Sequence, residues 1–186
     1  MLRTIDGLLP GARQFDENAL SEVYRALNRP LYAYAYRLVG EACEAEDLVA
    51  ETFRRFLLAM RNGGGPREHL AAYLYRTLHN LITDRYRRRP APDLLLDESL
   101  EADGDDDPAL AAPLHIEQAR ARAALWKLTP EQRLVITLKY FEGMSNEEVA
   151  AALGKPIGAV KSLQHRALEA LRRLLVNEVI EERVAL

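Results

Sequence analysis

Residues 143–175 contain two helical patterns separated by a short break, and this arrangement constrains the fold more than any other stretch. Ser145 and Glu148 are spaced as in a capping box, in which the hydroxyl and the carboxylate each accept a hydrogen bond from a backbone N–H. Gly154 suits the left-handed conformation that ends a helix, and Pro156 suits the first turn of the next helix. The pattern predicts a short helix, a turn and a longer helix.

The longer helix is predicted to be amphipathic. Its apolar residues recur at steps of three and four and predict one buried face: Val160, Leu163, Ala167, Leu171 and Leu174. The opposite face carries Lys161, Ser162, His165, Arg166, Arg172 and Arg173. A short capped helix followed by a basic helix is typical of a helix-turn-helix, which places its second helix in the major groove of DNA. A helical hairpin with a merely solvated basic face is the alternative at this point.

The composition favours an all-α chain, because Ala, Leu, Arg and Glu are abundant and β-branched residues are sparse. No apolar run approaches the roughly 20 residues of a transmembrane helix, and the N-terminus lacks a signal-peptide pattern. We therefore expect a cytoplasmic protein without membrane insertion. The single cysteine, Cys43, excludes an internal disulfide. The cysteine and histidines lack zinc-site spacing and no Ser/His/Asp signature occurs, so we expect no metal, no cofactor and no enzymatic activity.

The net charge of −3 conceals a segregation along the chain: residues 1–89 carry +3, residues 90–113 carry −8 and residues 114–186 carry +2. Binding of nucleic acid depends on local patches, so the acidic total does not exclude it. The middle segment is rich in proline and aspartate and has no helical period, which predicts a flexible linker. The predicted organisation is a lead-in at 1–14, a first domain at 15–89, an acidic linker at 90–113, a second domain at 114–178 and a tail at 179–186.

The first domain is predicted to be helical, with a bend or a break at Asn28-Arg29-Pro30 because proline removes a helix hydrogen bond. Residues 44–60 form a helical pattern with an acidic first turn, which the helix dipole alone would favour. Residues 63–65 are three glycines and predict a loop, but no Gly-Lys-Ser/Thr follows, so a P-loop is rejected. Residues 85–89, with the sequence RYRRR, suit DNA phosphates and an unpaired base, although a solvated helix end is the alternative.

Residues 15–178 resemble the extracytoplasmic-function (ECF) group of bacterial sigma-70 factors. EAEDLVAETF at 44–53 and YLYRTLHNLITDRYRRR at 73–89 are similar to sigma region 2, and residues 128–168 are similar to region 4. The acidic segment resembles the variable linker of that group, which lacks a region-three domain. The resemblance implies an all-α fold of two small domains, a region 2 helical bundle and a region 4 helix-turn-helix, joined by the acidic linker.

The resemblance also implies three sets of functional residues. Those that bind core polymerase, on a helix that docks on the β′ clamp, are Glu46, Asp47, Leu48, Glu51, Thr52 and Phe53, with Leu48 and Phe53 either in the core or partly in the interface. Those that bind the −10 element are Asn62, Tyr73, Arg76 and Asn80 on single-stranded bases, and Arg85, Arg87 and Arg88 on phosphates. Those that bind −35 DNA are Lys161, Ser162, His165 and Arg166.

The function implied by the resemblance is that of a non-enzymatic initiation subunit. Its expected partners are core RNA polymerase, through the β′ clamp and the β flap, promoter DNA and an anti-sigma factor. Tyr73 stands where a Trp is common in the family, and Lys155-Pro156 and Leu163-Gln164 also depart from the usual residues. A helix-turn-helix regulator that does not join polymerase is the alternative, but it leaves residues 44–53 and the glycine loop unexplained.

Overall fold

The computed structural model describes the backbone of residues 5–88 and 118–184 and the side chains of residues 5–87 and 118–175. These residues are helical, with no strand among them: α1 (Leu9–Arg13), α2 (Glu17–Val39), α3 (Ala42–Arg61), α4 (Leu70–Arg88), α5 (118–126), α6 (Pro130–Ile136), α7 (Asn146–Leu153) and α8 (Ile157–Val184). Thr137–Phe141 continue α6 as a π-helical turn. The all-α prediction is therefore confirmed, while the predicted acidic linker at 90–113 lies outside the described residues.

Helices α2, α3 and α4 pack against one another as a three-helix bundle. Asp16 caps α2 by accepting a hydrogen bond of 2.8 Å from the backbone N–H of Ala19. Gly40 ends the same helix in the left-handed conformation at φ 80°. Fully buried side chains fill the space between the three helices, among them Leu31, Tyr34, Phe56, Leu74, Leu78 and Ile82.

Of the two outcomes predicted at residues 28–30, the break does not occur: α2 runs from Glu17 to Val39 with Pro30 inside it. Proline removes one backbone hydrogen bond from a helix. Leu27 and Leu31 flank Pro30 and are both buried in the core. Packing on both sides of the proline thus keeps the chain helical through residue 30, which a local sequence rule does not detect.

Residues 5–14, which the sequence marked only as part of a lead-in, belong to the same bundle. Ile5, Leu9 and Ala12 are buried in its core. Helix α1 packs against α2. This segment is therefore anchored by burial of its apolar side chains, although its pattern is too short to predict a helix.

Helices α6, α7 and α8 form the second domain and confirm the predicted helix-turn-helix. The Ser145 hydroxyl accepts from the Glu148 N–H at 3.2 Å, and the Glu148 carboxylate accepts from the Ser145 N–H at 2.8 Å. Gly154 ends α7 at φ 64°. Thr129 and Gln132 form a second capping box at the start of α6. On α8, the first three members of the predicted apolar face are buried and the last two are half-buried.

The two domains pack directly on each other, with α4 against α6 and α7. Side chains of the second half of the molecule also cap the end of α2. The indole N–H of Trp126 donates to the Leu38 carbonyl at 2.8 Å, and Arg122 donates to the Arg37 carbonyl at 3.2 Å. Carbonyls at a helix end lack partners within the helix, so these donors stabilise both the helix end and the domain interface.

Candidate polymerase-binding and DNA-binding surfaces

The start of α3 presents an acidic surface. Glu41 caps the helix by accepting from the N–H groups of Cys43 and Glu44 at 2.7 and 2.6 Å. Glu46 and Asp47 are exposed one turn later. Carboxylates in this position are favoured by the positive end of the helix dipole, and they remain accessible to a basic partner surface.

Glu51 continues this acidic surface but is already paired within its own helix. Arg55 donates to its carboxylate at 2.8 Å, and Arg54 donates to it as well. These two guanidinium groups lower the pKa of Glu51 to about 2. Glu51 is therefore ionised at neutral pH, and its charge is locally compensated.

The other predicted polymerase-binding residues point into the core. Leu48, Thr52 and Phe53 are 3%, 0% and 8% exposed, and the Thr52 hydroxyl donates to the Leu48 carbonyl at 2.8 Å. The Phe53 ring packs at 4.9 Å from the half-exposed ring of Tyr24. The predicted set therefore divides into three accessible acids and three side chains that hold α3 in the bundle.

A groove of about 390 Å³ runs between the accessible face of α3 and the end of α4; it is lined by Asp47, Leu48, Glu51, Arg55, Leu81, Asp84 and Arg85. Arg85 lies at 2.6 Å from the carboxylate of Glu44, which is buried. This ion pair ties α4 to α3. Arg85, which the resemblance assigns to phosphate contact, thus has a structural partner in this conformation.

The predicted −10 residues of α4 follow one face of the helix, since Tyr73, Arg76 and Asn80 are spaced at three and four residues. Arg76 and Asn80 are exposed, and Tyr73 is half-buried with its ring 6.3 Å from that of Phe56. Arg87 lies further along this face and pairs with Asp84 at 3.2 Å. The side chain of Arg88 lies outside the described residues. The helix thus offers polar groups beside an aromatic ring.

Asn62 is exposed at the end of α3, at the start of a loop that leads into α4. Two residues that the sequence did not single out hold this loop. Arg13 donates to the carbonyls of Gly64 and Pro66 at 3.0 Å each, and the Asp6 carboxylate accepts from the N–H of Leu70 at 2.8 Å. Since both contacts join residues more than 50 positions apart, no local motif could have revealed them.

The predicted −35 residues are all exposed on the solvent face of α8: Lys161, Ser162, His165 and Arg166. The Ser162 hydroxyl donates to the Gly158 carbonyl at 3.1 Å. His165 lies 3.7 Å from Glu169. The arrangement brings the four side chains to one accessible face in the position of a helix-turn-helix recognition helix.

A buried polar network lies between α4 and the second domain. The Tyr34 hydroxyl is 2.7 Å from Nδ1 of His79, and Nε2 of His79 is 2.9 Å from the Pro130 carbonyl. A carbonyl only accepts, so Nε2 carries the proton and Nδ1 accepts from Tyr34. Burial and the charge of Arg133 lower the pKa of His79 to about 4, so the imidazole is neutral at neutral pH.

Arg133 is buried beside this network without a carboxylate partner among the described contacts. Its guanidinium lies 3.7 Å from the centre of the Trp126 ring and donates to the carbonyls of Leu125, Trp126 and Leu128. Burial lowers its pKa to about 10. These carbonyls lie at the end of α5, where a cation complements the negative end of the helix dipole.

The described residues contain no cluster of three or more His, Cys, Asp or Glu side chains that could hold a metal ion. None of the described helices combines the length and the apolar character required to cross a bilayer. The accessible chemistry therefore consists of the acidic surface on α3, the polar and aromatic face on α4 and the basic face on α8.

Comparison with known proteins relates both halves of the chain to one family. Residues 23–90 match the family described as Sigma-70 region 2, and residues 118–171 match Sigma-70, region 4. The RNA polymerase sigma-E factor of Streptomyces coelicolor is 36% identical, over 87% of this chain and 89% of that protein. The ECF RNA polymerase sigma factor SigW of Bacillus subtilis is 31% identical, over 86% and 90%. For BldN of Streptomyces coelicolor the identity is 30%, over 92% of this chain and 66% of that protein.

Two solved structures resemble the whole arrangement of this chain. CnrH, in complex with the cytosolic domain of CnrY, is 27% identical with a TM-score of 0.69 over 92% of this chain and 97% of that one. The sigma factor RpoE from Bartonella quintana, in complex with the anti-sigma factor NepR, is 26% identical with a TM-score of 0.56 over 83% and 95%. With both regions matched in order, the chain belongs to the sigma-70 family of RNA polymerase sigma factors, in its ECF group.

Proposed function

We propose that this chain acts in the cytoplasm as an initiation subunit of RNA polymerase, without catalytic activity of its own. It binds the core enzyme, recognises −35 DNA with α8 and captures the opened −10 strand with α4. The observation that carries the proposal is the presence, in one chain, of an exposed polar and aromatic face on α4 and an exposed basic recognition helix in a helix-turn-helix.

The docking surface for the β′ clamp is the acidic face of α3. Glu46 and Asp47 are exposed there and meet a basic partner, with Glu51 at the edge of the groove beside them. Charge complementarity of this kind mainly raises the rate of encounter and fixes the register of the complex. Leu48, Thr52 and Phe53 support this surface from beneath, because their side chains are buried.

The contact with the β flap is made by the second domain. Tyr140 and Leu168 are 51% and 42% exposed, and both adjoin Gln164. The Gln164 amide lies 2.6 Å from the Tyr140 hydroxyl, and Leu168 follows one turn later on the same face of α8. Together they form an apolar surface that a partner of complementary shape can cover.

Capture of the −10 strand uses the loop after α3 and the exposed face of α4. Asn62, Arg76 and Asn80 provide hydrogen-bonding groups, and the half-buried ring of Tyr73 provides a stacking surface. Stacking of a base on an aromatic ring contributes about 1–3 kcal/mol, which offsets part of the cost of opening the duplex. Arg85, Arg87 and Arg88 contact phosphates, and the first two exchange their present carboxylate partners for them.

Recognition of the −35 element uses the exposed face of α8. Lys161 and Arg166 contact bases or phosphates in the major groove, with Ser162 and His165 between them. A good bidentate contact to a base contributes about 1–3 kcal/mol of discrimination. Phosphate contacts add affinity that is independent of sequence and falls with salt.

Simultaneous recognition of both elements requires the two domains to separate. The −35 and −10 positions are about 25 base pairs apart, or roughly 85 Å at 3.4 Å per base pair. In the present conformation α4 packs directly on α7, the first helix of the helix-turn-helix. An anti-sigma factor that holds the domains together would therefore keep the protein inactive. Two structurally similar proteins were solved in complexes, CnrH with the cytosolic domain of CnrY and the sigma factor RpoE with the anti-sigma factor NepR.

Run-off transcription with bare core polymerase and a library of randomised promoters tests this function. The protein should confer start sites whose promoters share one motif near −35 and another near −10, read by sequencing transcripts that carry a tag identifying each promoter. A matched variant with Lys161→Ala and Arg166→Ala should still bind the core enzyme but lose selection of the −35 motif. Absence of start-site selection by the wild-type protein would refute the proposal.

A further inference from the structure

The N-terminal segment forms hydrogen bonds with the middle of the loop between α3 and α4, which comprises residues 62–69. Nη1 of Arg13 donates to the carbonyls of Gly64 and Pro66 at 3.0 Å each, and Nη2 lies 3.5 Å from the carbonyl of Gly63. A guanidinium presents several donors in a rigid planar fork, so one side chain can fix several carbonyls at once. Arg13 is thereby the tie between α1 and three residues of this loop.

The same segment also holds the end of the loop. The two carboxylate oxygens of Asp6 accept from the N–H groups of His69 and Leu70 at 3.1 and 2.8 Å. These N–H groups lie at the start of α4, where backbone donors lack partners within the helix and a negative charge is favourable. Asp6 thus acts as an N-terminal cap for α4 from 64 residues away.

The loop needs such support because its own backbone is permissive. Gly63 and Gly65 adopt positive φ values of 76° and 79°, and glycine loses more conformational freedom on ordering than any other residue. Within the loop, the Gly64 N–H donates to the Ala59 carbonyl at 2.9 Å. Arg13 and Asp6 together form what we call the clamp. The segment that carries them is itself held in place, because Leu9 and Ala12 of α1 are buried in the core.

We propose that Arg13 and Asp6 are positioning residues that set the base selectivity of −10 capture. The inference rests on the proposed role of Asn62 and of α4 in holding −10 bases. Asn62 lies at the start of the clamped loop, and Tyr73 lies in the first turn of the helix that Asp6 caps. Arg13 holds the middle of the loop and Asp6 holds its end, and together they restrict where Asn62 stands relative to Tyr73. Selectivity for one base depends on that placement, since a mobile loop would accommodate several bases.

The test uses the holoenzyme, assembled from core polymerase and the full chain. Fluorescence anisotropy measures the affinity of the holoenzyme for forked DNA that carries the selected −10 motif. The same measurement is made with forked DNA in which each single-stranded base is replaced in turn. Arg13→Gln should reduce the discrimination between correct and replaced bases about tenfold, because binding of the correct base to Asn62 would then require one or two backbone residues to be ordered, whereas a replaced base that makes no contact with Asn62 would not require it. Affinity for core polymerase should not change.

Conservative variants separate positioning from mere stabilisation. Arg13→Lys keeps a cationic donor and should retain more selectivity than Arg13→Gln. Asp6→Asn keeps one side-chain oxygen as an acceptor and should retain more than Asp6→Ala. Arg25→Gln, at an exposed position on α2, is the matched control and should behave as the wild type.

Hydrogen exchange of the Gly64 amide should accelerate in Arg13→Gln while the amides of the α2 core keep their protection.

The results with these variants distinguish a failure of the positioning role of Arg13 and Asp6 from a failure of the proposed −10 capture on which it rests. Altered selectivity in Asn62→Ala together with wild-type selectivity in Arg13→Gln and Asp6→Ala would overturn the clamp alone. Wild-type selectivity in Asn62→Ala would overturn the role of the loop in −10 capture. A uniform loss of affinity for every oligonucleotide in Arg13→Gln would show a purely structural role and would equally overturn the inference.

Discussion

The guanidinium of Arg37, near the end of α2, lies 3.1 Å from the carboxylate of Glu142, which follows the π-helical turn 105 residues later. The other oxygen of Glu142 accepts a hydrogen bond from the Tyr75 hydroxyl at 2.5 Å. The ring of Phe141 lies 4.4 Å from the same guanidinium. A single carboxylate thus binds two elements of the first domain, and it joins the two domains together with the Trp126, Arg122 and His79 contacts described above.

Glu142→Ala is predicted to shift the protein towards an open arrangement. Its carboxylate is largely buried, and a hydrogen bond to a charged group contributes about 1.5–3 kcal/mol. Cys43 is exposed on α3 and offers one labelling position, and Arg172→Cys on α8 supplies the second. Energy transfer between the two dyes should fall in Glu142→Ala.

The control for this prediction is Glu131→Ala. Glu131 forms an exposed ion pair of 3.0 Å with Lys155, and both residues belong to the second domain. Exposed pairs contribute little to stability, so energy transfer should match that of the unsubstituted labelled protein. Equal transfer in all the labelled proteins would show that Glu142 does not hold the domains together.

His79→Gln is predicted to remove part of the acid sensitivity of folding. Above pH 6.5 the imidazole is neutral in both the folded and the unfolded chain. Between pH 6.5 and about 4, His79 is protonated in the unfolded chain but stays neutral in the folded chain, because burial lowers its pKa to about 4. The free energy of unfolding therefore falls as pH falls through this window, by on the order of 3 kcal/mol from this residue.

Urea unfolding at pH 7, 6, 5 and 4 measures this effect. The wild type should lose stability more steeply than His79→Gln, because glutamine cannot take up the proton. His165→Gln, at an exposed position, is the matched control and should keep the wild-type dependence. Parallel curves for the wild type and His79→Gln would contradict the assignment of a neutral buried imidazole.

Asp47→Ala is predicted to weaken binding to core polymerase, whereas Thr52→Val is not. Asp47 is exposed on the acidic face of α3, and Thr52 is fully buried beneath it. An exposed charge pair contributes about 0.2–1 kcal/mol, so the affinity should fall by up to about fivefold, and less at high salt. Surface plasmon resonance on immobilised core enzyme measures both variants. A loss in Thr52→Val equal to that in Asp47→Ala would mean that α3 rearranges on docking.

Arg166→Ala is predicted to weaken binding to −35 duplex DNA and to flatten its salt dependence. If Arg166 contacts one phosphate, the slope of log K against log salt should decrease in magnitude by about 0.9. Titrations at several salt concentrations give this slope. Arg25→Ala carries the same charge change on the opposite domain and should keep the wild-type slope, provided that isolated −35 DNA binds only α8. An unchanged slope in Arg166→Ala would exclude a phosphate contact by Arg166 and would mean that its side chain contacts a base or only solvent.

The helix boundaries could be predicted where the signal is local. Ser145 with Glu148 begins α7 and Gly154 ends it, as their sequence patterns predict. A cap requires only residues a few positions apart, so the chain carries the whole signal within one turn. A break, one of the two outcomes predicted at Pro30, does not occur, since Leu27 and Leu31 bury the helix on both sides of the proline.

The sequence predicted which residues belong to the candidate surfaces better than it predicted which of their side chains are exposed. The residues of the basic face of α8 follow from helical periodicity and are all exposed. Thr52 was placed in the polymerase interface by resemblance, yet it is fully buried. Residue type at a matched position carries over between relatives, whereas exposure depends on how neighbouring helices pack. The functional roles of all three residue sets stay predictions.

The amino-acid sequence by itself determined that the described parts of this chain are helical, where the first helix of the helix-turn-helix begins and ends, and which sigma regions the chain contains, because those properties depend on residues close together along the chain. The tertiary structure decided that Arg13 and Asp6 grip the loop before α4 and that Glu142 joins the two domains. Each of those contacts pairs polar groups more than 50 positions apart, and they meet only because burial of apolar side chains brings the helices together.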